Sequence, residues 1–200
     1  MLYIYGDSHA KFSFKNVTIP HINYHYPSIT MFRIGRDNTI INYNAHEHDT
    51  NNIICCVYGE IDCRCHIQRQ IDIGKDEDEV IEDLVSSYFT TLYNSIRVYK
   101  QVIVTGVIPP TRQIDYEVVH GPIMHEFPFV GTDESRVRYT KKVNIMIDKL
   151  CNQYGYLYFN PYKYYERADG TLQYEYSDGT VHLGNNSFLL EQFVKLYDTI

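Results

Sequence analysis

The chain has 200 residues, 44% hydrophobic and 22% charged, with a formal charge of −7. That is enough chain for one domain with a full core, and too apolar for disorder. The acidic balance argues against a nucleic-acid partner, and no apolar run approaches the roughly 18 residues that a membrane span needs.

Strand character begins at residue 2, which leaves no room for a leader peptide and points to a cytoplasmic protein. Five cysteines, Cys55, Cys56, Cys63, Cys65 and Cys151, form no disulfide framework and read as reduced thiols. Twenty tyrosines with no tryptophan read first as the coding bias of an AT-rich genome.

In chain order, Leu2-Tyr3-Ile4-Tyr5 is a short buried strand broken at Gly6, with Asp7-Ser8 just beyond it. Asp7 to Lys15 is a loop or short helix, and the polar stretch Asn16 to Pro27 reads as loop. Ser28 to Ile34 reads as a second strand ending at Gly35, followed by a short helix from Arg36 to Ala45. His46 to Asn51 is a polar connector.

Asn52 to Tyr58 is a continuous apolar run stopped by Gly59, as in a strand buried on both faces. Asp76 to Lys100 has the strongest helical period, with Val80, Leu84, Tyr88, Leu92 and Ile96 on one stripe. Acidic residues open it, and Arg97 and Lys100 close it, in keeping with the helix dipole. Gln101 to Ile108 is the next strand, ended by Pro109-Pro110. A polar excursion from Thr111 to Thr132 is long enough to suggest function. Asp133 to Gln153 is helical and Tyr156 to Phe159 a last strand. Tyr162 to Tyr176 is a tyrosine-rich loop with a hairpin near Asp169-Gly170. Asn185 or Asn186 caps a final helix that buries Leu189, Phe193 and Leu196.

Strands and helices alternate, so the expected fold is a three-layer α/β/α sandwich on a parallel sheet of about five strands, spanning residues 1–200 as one domain. Sites of such sheets lie beyond the carboxyl ends of the strands. Those ends carry Gly6-Asp7-Ser8, Gly35, Gly59-Glu60-Ile61-Asp62 and Pro109-Pro110. Near the C-terminus, Ser177-Asp178-Gly179-Thr180-Val181-His182 supplies the base and carboxylate that a serine nucleophile requires.

Together these blocks resemble the SGNH (GDSL) hydrolases over most of the chain, from Leu2 to about Leu196. The resemblance implies a flavodoxin-like fold, with Ser8 as nucleophile, His182 as general base and Asp178 orienting the imidazole. It also implies an oxyanion hole from the Ser8 N–H, the N–H of Gly35 and an asparagine of the third block. Here Ile61 stands in the asparagine position and cannot donate; losing such a donor costs about 10²–10³ in rate. Arg64 is the candidate replacement, or else an ion-pair partner of Asp62 or Glu60. Asn38 is a second candidate, and Asp7 belongs to the same rim. Three residues separate Asp178 from His182 where the family usually has two. A helical turn would keep them on one face, and an extended segment would part them.

The expected activity is that of a serine esterase or O-acetyl transferase acting on a small-molecule or glycan ester. No cofactor is required, although a transferase would take a donor such as acetyl-coenzyme A. The alternative is an impaired glycan-binding module that keeps the fold. His46-Glu47-His48-Asp49 with Cys63-Arg64-Cys65-His66 has metal-ligand residue types at poor spacing, and reads as solvated loop and reduced thiols. Tyrosines between Tyr154 and Tyr176 suit sugar rings, but suit ordinary packing at least as well.

Overall fold

The computed structural model describes residues 1–38, 41–43, 51–96, 99–124 and 126–200. Five strands form one all-parallel sheet: β1 (Leu2–Gly6), β2 (His21–His25), β3 (Ile53–Val57), β4 (Gln101–Thr105) and β5 (Leu157–Phe159). Their order is β2-β1-β3-β4-β5. Leu2 pairs with His21 on one side and Ile53 on the other, and the register runs unbroken to Gly6.

Successive residues of the inner strands enter opposite cores. Tyr3, Tyr5, Ile54 and Cys56 pack on one face, against α2 (Met31–Asp37), α4 (Glu77–Ile96) and α6 (Asp133–Tyr154). Leu2, Ile4, Ile53 and Cys55 face the other, which holds α1 (Ser8–Ser13), α7 (Tyr162–Tyr165) and α8 (Ser187–Tyr197). Burial on both faces is why these strands are continuously apolar. The described residues also include α3 (Ile67–Asp72), entered through a π turn at Asp62–His66, α5 (Gln113–His120) and a single 3-10 turn at Tyr174–Tyr176.

Two expectations fail at the second crossover. The strand expected at Ser28–Ile34 is instead the start of α2, and β2 lies earlier, inside the segment expected to be loop. The apolar run Ile29 to Ile34 suits either element; its ends decide. Thr30 caps the helix by accepting the Arg33 N–H, and the buried Asp62 carboxylate takes the N–H groups of Met31 and Phe32 at 2.8 and 3.3 Å. β2 is an edge strand with only partial burial, so it lacks an apolar signature. Of the helix expected at Arg36–Ala45, residues 39, 40, 44 and 45 lie outside the described residues; α2 ends at Asp37, where Asn38 turns left-handed at φ 51°.

Smaller differences follow. β4 ends at Thr105, short of Ile108, and the polar excursion contains α5. The expected hairpin near Gly170 is present as a Glu166–Leu172 bridge. Of the two residues expected to cap α8, Asn185 accepts the Ser187 N–H at 3.3 Å, while the Asn186 side chain bonds the Phe12 and Ser13 carbonyls of α1. Arg97 and the His46 to Asp49 cluster lie outside the described residues. Among the described residues no group of three metal-ligating side chains converges, and no helix is long and apolar enough to cross a membrane.

Candidate active site

In this strand order the crossover direction reverses between β1 and β3, which opens a crevice at their carboxyl ends. Ser8 stands there, at the start of α1. Gly6 makes the sharp exit possible: a Cβ on it would lie 2.4 Å from the Ala10 Cβ and 2.5 Å from the Val57 carbonyl oxygen. The Asp7 carboxylate then starts the helix by accepting the His9 N–H at 2.8 Å. Ser8 is left half-buried at the rim, with its backbone fixed on both sides.

The C-terminal loop reaches it from the opposite end of the chain. His182 Nε2 lies 2.8 Å from Ser8 Oγ. The segment is neither a helical turn nor an extended strand. Ser177 bridges Leu183, the Asp178 N–H donates to the His182 carbonyl at 3.0 Å, and Gly179 turns at φ 86°. This narrow hairpin brings Asp178 Oδ2 to 3.4 Å from His182 Nδ1, too far for a strong hydrogen bond.

The extra residue of the spacing closes the gap. Thr180 Oγ1 lies 2.6 Å from Asp178 Oδ1 and 2.8 Å from His182 Nδ1. A carboxylate only accepts, so the threonine hydroxyl donates to Asp178 and accepts from the imidazole Nδ1–H. That assignment leaves Nε2 unprotonated and able to take the Ser8 proton. The Thr180 carbonyl is itself held by the hydroxyls of Thr111 and Ser177.

A second histidine adjoins the first. The His9 ring lies 4.7 Å from that of His182, while Phe12 covers His182 at 4.5 Å. His9 is buried, with Nε2 3.0 Å from the Val181 carbonyl and Nδ1 3.3 Å from Asp7 Oδ1. Burial opposes a charge on His9, but Asp7, Glu60 and the Val181 carbonyl prevail and raise its pKa to about 9. Burial and the neighbouring His9 press His182 down to about 4, against the pull of Asp178, Glu60 and Asp7. The His182 ring is therefore uncharged at neutral pH.

Beside the dyad, Asp7, His9, Ser13, Tyr58 and Glu60 border a cavity of about 20 Å³, room for one water.

Comparison with known proteins shows what scaffold this is. No protein-family model matches the chain, and no curated protein matches it. Solved structures do. A catalytic mutant of an acetylxylan esterase from Geobacillus stearothermophilus superposes with a TM-score of 0.62 at 11% identity, covering 97% of this chain and 92% of the other. A GDSL-like lipase from Bacteroides thetaiotaomicron gives 0.61 at 11% identity, covering 98% and 86%. A lipolytic G-D-S-L protein from Veillonella parvula gives 0.52 at 14%, covering 98% and 96%. The chain has the SGNH-hydrolase fold.

On the SGNH scaffold the expected residues separate into two groups. Ser8, His182 and Asp178 come together, with Asp7 buried behind them as a helix cap rather than at the substrate rim. Three expected oxyanion groups lie elsewhere. Gly35 sits inside α2, where a Cβ would come within 2.8 Å of the Ser87 Cβ on α4; it is a helix-crossing glycine, not the end of a strand. Asn38 ends α2 and accepts the Thr91 hydroxyl at 2.8 Å. Arg64 turns inward: its Nε donates to Glu60 at 2.7 Å and a terminal nitrogen to the Phe127 carbonyl. The ion-pair reading of Arg64 describes this geometry, with Glu60 as partner.

Glu60 stays ionised in spite of burial, because Arg64 and His9 hold its carboxyl below the usual range. Asp62 has no such cation, and burial raises it to about 7 even though two backbone N–H groups favour its charge. Ile61 packs with Cys65 and Phe127 in a small apolar cluster, so the third block contributes packing at this position.

Thr180 and His9 are the two site residues that sequence reasoning missed. The long Asp–His spacing was the only signal for Thr180. His9 stood next to Ser8 but pointed to nothing until Val181 and His182 were folded against it.

Proposed function

We propose that this chain is a serine esterase of the SGNH type, and that its substrate is a short acyl ester, with acetyl on a carbohydrate preferred. The single observation that carries the reading is the contact of His182 Nε2 with Ser8 Oγ at 2.8 Å, backed through Nδ1 by Thr180 and Asp178. The likeness to an acetylxylan esterase supports the acyl class.

Ser8 Oγ attacks the ester carbonyl as its proton passes to His182 Nε2. The resulting imidazolium shares its Nδ1–H with the Thr180–Asp178 pair, and the oxyanion is received by the Ser8 backbone N–H. Collapse breaks the carbon–oxygen bond of the alcohol, which leaves with the proton from Nε2. Water, or an acceptor hydroxyl in a transferase, then attacks the acyl carbon as its proton passes to His182, and collapse breaks the bond to Ser8 Oγ, which takes that proton back from Nε2.

The test is covalent labelling. A fluorophosphonate should add one phosphonyl group to the wild type by intact mass and none to Ser8→Ala. An unlabelled wild type between about pH 7 and 9, where an ordinary histidine base is mostly neutral, overturns the esterase. It would favour the second reading, a glycan-binding module that keeps the fold, which the apolar packing of Ile61 and the inward turn of Arg64 support.

A further inference from the structure

His9 is buried, adjacent to the dyad, and not accounted for by the mechanism above. Its surroundings are unusual for a core histidine. Nε2 meets a backbone carbonyl, that of Val181 at 3.0 Å, and Nδ1 lies 3.3 Å from the Asp7 carboxylate. Neither group donates, so both ring nitrogens are best satisfied carrying protons, which makes the ring a cation. His182 differs. Its Nε2 lies against a serine hydroxyl, which can donate, and its Nδ1 against a threonine hydroxyl already committed to Asp178. Two imidazoles 4.7 Å apart do not both hold a charge cheaply, and the ring with the anionic partner takes it.

We propose that His9 is a positioning residue for the general base: a buried imidazolium that ties the Val181 carbonyl to the head of α1, aligns His182 on Ser8, and keeps a second proton off His182. This rests on the esterase reading for its consequence in rate, but not for its structural content. The other titratable or charged groups around His182 are Asp178 on its own loop, Asp7 before α1 and Glu60 after β3. Lys11 stands over Phe12, and His120 meets the Gly179 carbonyl at 2.8 Å. Burial disfavours a charge on His182; of the charged groups around it, the three carboxylates favour its protonation and His9 opposes them. Two unit charges at 4.7 Å, screened as partly buried groups are, repel strongly enough to move a titration midpoint by roughly 2 on the pH scale.

The experiment reads His182 directly, by the pH titration of its ring carbon-bound protons in NMR, and in parallel the rate of fluorophosphonate labelling across the same range. In the wild type the His182 midpoint should lie near 4. His9→Gln keeps a donor for Val181 but carries no charge, and should raise that midpoint to roughly pH 6, with the acid limb of labelling moving alongside. Should His9→Gln fail to fold, His9→Asn takes its place. It too offers an amide donor and carries no charge, and should move His182 in the same direction. A His182 midpoint that moves by less than about half a pH unit in the folded variant overturns the proposal. The two readings fail separately: a wild type that is never labelled defeats the esterase, while the NMR midpoint still decides the role of His9.

Discussion

Removing the Thr180 hydroxyl is the sharpest test of how the base is held. In Thr180→Val a methyl replaces the oxygen that lies 2.6 Å from Asp178 and 2.8 Å from His182. The direct Asp178–His182 separation of 3.4 Å then becomes the only link. A hydrogen bond to a charged group contributes about 1.5–3 kcal/mol, and each 1.36 kcal/mol is tenfold in rate, so the expected loss is about 10–10² in kcat. That is well short of the loss of about 10⁴ that follows when a triad loses its orienting carboxylate. Thr180→Ser restores the hydroxyl and should restore most of the rate. The assay is hydrolysis of an aryl acetate at pH 7, checked against the labelling rate of Ser8. Thr180→Val with a rate within about twofold of wild type would refute the bridge, and would mean that Asp178 closes on His182 unaided.

Other consequences follow from the buried charges and the helix crossing. In the folded chain His9 keeps its proton to about pH 9, against 6.5 when unfolded, so its stabilisation is full below about 6.5 and is lost as pH rises through 9. Asp62, raised to about 7, and His182, lowered to about 4, act with opposite signs between about pH 4 and 6.5 and roughly offset there. Urea unfolding at pH 6.5 and 9 should therefore differ by about 2–3 kcal/mol in the wild type and by much less in His9→Gln; equal slopes in both would count against a charged His9. Arg64→Ala leaves Glu60 buried without its cation and should destabilise by about 3–5 kcal/mol, read as a lower melting temperature. A variant that folds normally but loses only rate would return Arg64 to the oxyanion hole. Gly35→Ala forces α2 from α4 and should cost about 1–3 kcal/mol in denaturant, with Ser8 labelling intact; labelling lost at full stability would place Gly35 back at the site.

Local signals carried much of this architecture. β1, β3 and β4 are buried on both faces and therefore apolar throughout, and α4 and α6 bury one stripe each, so their periods are written in the chain. The order of Gly6-Asp7-Ser8, the third glycine block and Asp178…His182 was equally readable, because backbone geometry and residue chemistry constrain each block from within. The second crossover was not. β2 is a half-exposed edge strand, and α2 is decided by Asp62, a carboxylate about thirty residues further along that takes its first N–H groups. Gly35 could be read as a strand end until Ser87 was packed against it.

The chain by itself thus determined which residues could do the chemistry, since side-chain type and strand ends are local properties. Tertiary structure alone decided what surrounds them: that Arg64 spends its donors on Glu60 and Phe127, that Thr180 bridges Asp178 to the imidazole, and that His9 stands against His182. Those relations and the Ser8–His182 contact join residues up to 174 positions apart, and such distances close only when the sheet has brought its strand ends to one edge.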